Sequence, residues 1–208
     1  MMNSGDPLQL AELLCSRICH DLSGPVGAAA AGAELVADSG GDPETLELVS
    51  TSAAAASARL TFLRSAFGYS SQPQRTQSLR GTVERYFGSM SQAGVSPLAL
   101  DWKIIEAELS ADVSRLVLNM VMTARDALPR GGTVSVESVV LGETWKLNVV
   151  AKGEGARLAE EAHDVLIDDA IATGPRGAQA QLLKILSDRQ GYGLQTNTSE
   201  GMITLTVG

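Results

Sequence analysis

Aromatic side chains are scarce in this sequence, 4% of 208 residues, and histidine and cysteine occur twice each. With so few large rings, any core must be assembled from aliphatic side chains, and abundant alanine points to close helical packing. Long apolar runs are missing too. No 18 consecutive apolar residues occur, and the first ten, MMNSGDPLQL, lack a basic region followed by an apolar one. We therefore expect a cytoplasmic protein without membrane contact. Positive charge is in the minority, 16 Lys and Arg against 24 Asp and Glu, for a net charge of −8. Nucleic acid is excluded as a partner on that balance, because neutralising phosphates takes a basic surface. The 44% hydrophobic and 19% charged content is that of a folded globular chain. Cys15 and Cys19 are expected to be free thiols, since i and i+4 on one helix do not meet disulfide geometry. They read as small buried hydrophobes.

What is present begins with RICHDLSGPVG, residues 17–27. A helix from Leu8 to about Val36 is expected, interrupted only by Gly24–Pro25 and Gly27. At about 100° per residue, Ala11, Cys15, Ile18, Leu22, Ala29 and Val36 form an apolar stripe opposite His20. Leu13, Ser16, Arg17, Ser23, Gly24 and Gly27 flank the histidine, which faces outward. His20 also points roughly 100° away from Cys19, which argues against a shared metal site, and no metal is expected. Pro25 should kink the helix just over one turn beyond His20.

A second helix opens with Asp42 as N-cap, Pro43 at the first helical position and Glu44 in the first turn. Leu46, Val49, Ala53, Ala56, Leu60, Leu63 and Phe67 alternate spacings of three and four, a heptad seam that ends at Gly68. A hairpin of two such helices leaves apolar surface uncovered. Pairing two copies into a four-helix bundle is the expected solution, giving a homodimer. The polar stretch 68–78 reads as a linker. After it come a helix over 79–90, a strand over 98–104, a helix over 111–128 and a hairpin turning at Leu141–Glu143. A helix over 178–187 and two strands turning at Ser199–Gly201 finish the chain. The expected class is α+β: a helical domain over 1–70, then an α/β sandwich over 77–208 with helices on one face of the sheet. His163 reads as a surface or loop residue.

In that order the motifs resemble sensor histidine kinases: His20–Asp21 with Pro25 resembles the phosphoacceptor box, and the α/β part resembles the ATPase domain. The departures are specific. Kinases carry two asparagines four apart; here Asn119 is kept and Thr123 holds the second place. The Asp-x-Gly-x-Gly aspartate that receives the adenine amino group is Ala151, followed by Gly153 and Gly155. The glycine-rich lid is reduced to ATGPRGAQAQ. Alanine has no acceptor and threonine is a poor Mg²⁺ ligand, so these losses argue against ATP binding.

An intact histidine box on a degenerate nucleotide domain is similar to the ChpT family of alphaproteobacterial histidine phosphotransferases, as are CHDLSGPVGAAAAGAELV and RSAFG. The resemblance implies a dimer that relays a phosphoryl group through His20. It would pass from the receiver domain of a hybrid histidine kinase to response regulators such as CtrA. Asp21 would fix the imidazole tautomer. Leu13, Ser16, Arg17, Gly24 and Gly27 would face the receiver, with Arg17 free to neutralise the phosphoryl. Mg²⁺ would belong to the receiver, leaving this chain with no cofactor of its own. Gly24, where bifunctional kinases carry Thr or Asn, argues against direct phosphatase activity. Two other readings stay open: a divergent active histidine kinase, and a non-catalytic scaffold for receiver domains.

Overall fold

The computed structural model describes residues 5–91, 97–141 and 144–208. Helix α1 runs Pro7–Ser39 and α2 runs Pro43–Phe67. The first begins where the Asp6 carboxylate accepts from the Leu8 amide at 2.9 Å. It ends at Gly40, whose left-handed backbone (φ 80°) turns its N–H onto the Val36 carbonyl. The second begins where Asp42 accepts from both the amide and the hydroxyl of Thr45, at 2.8 and 2.9 Å. The two helices pack closely at Gly32. A Cβ there would come within 2.7 Å of the Val49 side chain, so only glycine fits.

The rest of the chain builds β1 (Gln74–Arg75), α3 (Thr76–Ser91), β2 (Leu98–Lys103), β3 (Glu108–Leu109) and α4 (Ala111–Asp126). Then follow β4 (Gly132–Leu141), β5 (Thr144–Lys152), α5 (Glu160–Leu166), α6 (Pro175–Arg189), β6 (Leu194–Ser199) and β7 (Met202–Val207). Five strands form one mixed sheet in the order β2-β4-β5-β7-β6, in which only β2 and β4 run parallel. Side chains alternate along each strand. Val134, Val136, Leu147, Val149, Ile203 and Leu205 are buried, whereas Thr133, Ser135, Asn148, Val150 and Thr204 lie on the opposite, partly open face. Helices cover the apolar face alone, giving two layers.

Helix α4 is the centre of the molecule. It is buried from Val113 to Ala124, because the sheet lies on one side and α2 and α6 on others. The end of the hairpin enters the same core: Phe62, Leu63 and Ala66 are fully or almost fully buried, and the Phe62 ring stacks on Tyr86 at 3.9 Å. No helix among the described residues is long and apolar enough to cross a membrane.

The expected α+β class and helices-on-one-face arrangement are present. Two details differ. The stretch 68–78 is not all linker, since Gln74–Arg75 pairs with Glu108–Leu109 and Thr76 starts α3. His163 is a surface residue, as expected, and lies on α5. Both cysteines are exposed rather than buried. The start of α1 is instead held by Leu10, Leu13 and Leu14, which pack on the small core of α5 and α6 and turn the cysteine side away from it. The turn at Gly142–Glu143 lies outside the described residues.

Because Phe62 joins the hairpin to the α/β core, Phe62→Ala should destabilise the protein by about 3–5 kcal/mol. Denaturant unfolding checks this, and a loss under about 1 kcal/mol would mean that the two parts are held elsewhere.

Candidate functional site

His20 stands on the open side of α1 with its side chain 78% exposed. Its Nδ1 lies 3.1 Å from Asp21 Oδ1. A carboxylate only accepts, so Nδ1 carries the proton and Nε2, facing outward, keeps its lone pair. Asp21 is itself held: its other oxygen accepts from Arg17 Nε at 2.9 Å. Pro25 explains a further contact. It has no N–H to give the Asp21 carbonyl four residues earlier. Arg59 of α2 donates to that carbonyl instead, at 3.0 Å, and also to the Ser89 carbonyl of α3 at 3.1 Å. The proline that follows the histidine box thus opens a place where a second helix grips the His20 turn.

Arg17 departs from its expected place. Helical phase sets it beside His20, yet it is only 3% exposed, because it reaches in to Asp126 at the end of α4. It bridges Asp21 at 2.9 Å and Asp126 at 2.7 Å, and Asp126 also pairs with Arg125 at 2.7 Å. Burial opposes charge on every member. Even so, Asp126 and Asp21 hold the Arg17 guanidinium above its ordinary value. For Asp126, burial is outweighed by Arg17 and Arg125, which keep its carboxyl below the usual carboxylate range. Burial pushes the neighbouring Tyr86 phenol up. Leu13 is likewise packed inward, on α5 and α6. Of the five residues expected to face a receiver, Ser16, Gly24 and Gly27 are exposed. Nothing lies within 4 Å of a Cβ added at either glycine, so there is open space beside His20.

His20 opens on a cleft of about 760 Å³ whose walls include Arg17, Asp21, Arg59, Arg125 and Arg176. Arg125 and Arg176 also wall a second cavity of about 320 Å³, with Arg157. Arg59 figures in no motif, and Arg176 only as an unassigned member of the stretch ATGPRGAQAQ. Asp126 did leave a signal: on the apolar α4, Asn119, Thr123 and Asp126 fall at i, i+4 and i+7 and share a face.

Asn119 and Thr123, which the kinase resemblance puts at a nucleotide site, are tied to one another in this fold. Asn119 is fully buried and donates to the Ala66 and Arg115 carbonyls at 2.9 and 2.8 Å. Gln179 of α6 donates to the Asn119 carbonyl at 2.9 Å, and the Thr123 hydroxyl bonds Asn119 and Gln179 at 3.0 and 3.2 Å. Ala151 is fully buried on β5, opposite Val134 and Ile203. Gly153 packs where a Cβ would meet the Gly131 carbonyl at 2.4 Å, and Gly155 has φ +68°, so both are turn glycines here. The first-turn amides of α6, at Arg176 and Gly177, donate to Glu161 Oε2 at 2.9 and 3.1 Å. A helix N-terminus that could hold an anion already holds a carboxylate of the same chain. Among the described residues the only cluster with metal-ligating spacing is the exposed His163, Asp164 and Asp168, not the cysteine–histidine stretch.

A family model described as the histidine phosphotransferase C-terminal domain matches residues 77–201. The chain belongs to the histidine phosphotransferase family. It is 36% identical over 132 residues to the protein phosphotransferase ChpT of Brucella abortus (strain 2308), which covers 62% of this chain and 60% of that relative. The solved structure of a bacterial phosphotransferase superposes over 98% of this chain and 97% of its own, with a TM-score of 0.83 at 27% identity. The histidine kinase ThkA, solved in complex with the response regulator protein TrrA, shares the fold over 99% of this chain and 63% of its own, with a TM-score of 0.51 at 16% identity. The histidine phosphotransferase match thus takes in α3 to β6 and the turn after it, and the phosphotransferase structure extends the likeness to the hairpin that carries His20.

Because its carboxyl is depressed in the folded state, Asp126 contributes stability above the ordinary carboxylate pKa of about 4. That contribution is lost as the pH falls through the lower folded value. Asp126→Asn should cost about 3 kcal/mol at neutral pH, the size expected for breaking a buried pair. The difference from wild type should shrink as the pH is lowered below about 4. Thermal melts across that range check it; a constant difference would show that the Asp126 charge is not what stabilises.

Proposed function

We propose that the chain relays a phosphoryl group between aspartates of receiver domains, with His20 as the carrier. The observation that carries this reading is the state of the imidazole: exposed, with Nδ1 tied to Asp21 and Nε2 open. The Nε2 lone pair attacks phosphorus of a receiver's aspartyl phosphate. The N–P bond forms as the P–O bond breaks, and the receiver carboxylate leaves with the electron pair. Asp21 holds the Nδ1 proton throughout and offsets the positive charge on the ring. The same step run backward delivers the group to the next receiver, because a phosphoramidate on imidazole is comparably high in energy. Catalysis here is positioning and charge neutralisation around an in-line transfer. The receiver brings its acidic site and its Mg²⁺, and this chain needs no cofactor. Two kinds of receiver are served: that of a hybrid kinase upstream and those of response regulators, CtrA-like, downstream.

The buried Asn119–Thr123–Gln179 cluster, Ala151 and the Glu161-capped α6 support a protein that does not bind ATP or phosphorylate itself. The hairpin supports a homodimer: Val26, Leu46, Leu48 and Leu60 are each 47–52% exposed in the single chain, including two members of the heptad seam. Pairing two hairpins would cover them and complete a four-helix bundle.

With a phosphorylated receiver as donor, label should move to wild type and be lost in His20→Ala, which should keep its fold because the His20 side chain is 78% exposed. Label on the protein from ATP alone would sink the relay in favour of a kinase. Equal label on His20→Ala would leave the chain a scaffold. On the assembly, sedimentation should show a dimer that Leu46→Glu with Leu60→Glu converts to monomer. A monomeric wild type would overturn the dimer.

A further inference from the structure

The cleft beside His20 is cationic in a protein that is not. Arg17, Arg59, Arg125 and Arg176 line it against Asp21 and Glu161. The adjoining cavity adds Arg157 and Asp126, so five of the chain's 16 basic residues and three of its 24 acidic ones surround the two cavities. The local balance is therefore +2 (five minus three) in a chain of −8. Three of the arginines are already engaged: Arg17 with Asp21 and Asp126, Arg59 with backbone carbonyls, Arg125 with Asp126. Arg176 is different. Its guanidinium is exposed and makes no hydrogen bond or ion pair among the described residues. Its backbone, however, is fixed. The Arg176 amide donates to Glu161 at 2.9 Å, and Pro175 and the close-packed Gly174 precede it. A free cation on a fixed stem thus faces the same cleft as the open Nε2 of His20.

We infer that Arg176 stabilises the phosphoryl group on His20 from within the same chain, and that Glu161 sets how strongly. This rests on His20 being the carrier. It goes beyond that reading by giving the degenerate α/β part a role in the energetics of the relay. A phosphoryl on nitrogen carries close to two negative charges at neutral pH, and one guanidinium within reach favours that state over the unphosphorylated one. Glu161 acts twice: its hydrogen bonds aim the Arg176 stem, and its negative charge in the same cleft opposes the phosphoryl. The balance decides where phosphate rests when His20 and a receiver aspartate exchange it.

The equilibrium itself is the test, because a residue that only docks the receiver changes the rate of exchange and leaves the final ratio alone. Full-length protein and a phosphorylated receiver are mixed, and phospho-His20 is measured against phospho-receiver once the ratio is constant. Arg176→Ala should lower the share on His20 about threefold, the size of one charge contact in a half-open site. Arg176→Lys should restore most of it, and Glu161→Gln should raise it. At about 1 M salt, where charges are screened beyond ~3 Å, wild type and Arg176→Ala should converge. A second arm needs no receiver. Phosphoramidate transfers its phosphoryl to imidazole as the new N–P bond forms and ammonia leaves. The ³¹P titration midpoint of the product should lie higher in Arg176→Ala than in wild type. An unchanged ratio together with an unchanged midpoint overturns the inference, as does a change of rate alone. Failure of both donors to label wild type at His20 is a separate result: it removes the carrier, and this inference falls with it.

Discussion

One guanidinium holds the site together. Arg17 leaves the His20 face of α1, passes under it and closes on two carboxylates, Asp21 from its own helix and Asp126 from the end of α4. Through Asp21 it fixes the group that orients His20, and through Asp126 it fixes that turn of α1 to the most buried helix of the molecule. A planar fork suits this task, since its donors are held at fixed angles toward two separated acceptors, a geometry that a compact ammonium does not impose. A buried pair of this kind contributes little net stability beside a hydrophobic substitute. What it contributes is register. Only one rotation and translation of α1 over α4 lets both carboxylates meet the fork, and that placement aims Nε2 at the cleft. Arg59 does the same from the other side, through the carbonyl that Pro25 leaves open.

The nucleotide-like site carries a parallel lesson. Losing the aspartate and the second asparagine of a kinase motif removes ligands, but removal alone would leave a hole. Here the residues that remain have been reassigned. Asn119 now bonds Ala66 of α2 and joins the hairpin to α4, while Gln179 and Thr123 complete its partners. A buried amide whose hydrogen bonds are met inside the protein is stabilising where it sits and costly to expose. Glu161 has likewise taken the α6 amides. Under the proposed reading these positions serve structure, and a nucleotide would have to displace contacts rather than enter a vacancy.

How much of this could be read beforehand depends on range along the chain. Within about one helical turn the sequence is informative. Phase alone turned His20 outward, and Asp42 with Pro43 and Glu44 marked a helix start that the structure places at the same residue. Alternation in the strands found both sheet hairpins. What failed was anything requiring knowledge of which side a distant element covers. Arg17 and Ser16 are neighbours on the His20 side, yet Arg17 reaches in to Asp126 of α4, some hundred residues later, and is buried while Ser16 is not. Cys15 and Cys19 looked apolar enough to be inside, but the start of α1 is covered on its leucine side by α5 and α6. The α5 helix is short, and its cap residue, Ala159, offers no side-chain bond, so no sequence signal announced it. Helical phase gives an azimuth, and only tertiary packing says whether that azimuth is wet.

A relay imposes a constraint that a kinase does not. A kinase draws on ATP and can let its phosphohistidine be poor or rich in energy within wide limits. A carrier must exchange with aspartates on both sides, so its phosphorylated state has to lie near theirs. Too many free cations beside His20 would trap the group, and too many anions would prevent its arrival. The cleft meets that constraint by pairing. Arg17, Arg59 and Arg125 are already answered by Asp21, Asp126 and backbone carbonyls, so they supply a firm frame with little charge left over. Among the described residues that line the His20 cleft, only Arg176 has an unpaired guanidinium, and Glu161 sits against its own stem. With no aromatic wall and an open mouth, water screens what remains. In the proposed relay, an acidic protein with a modestly positive cleft would draw a phosphoryl toward His20 without holding it there, which is what passing it on requires.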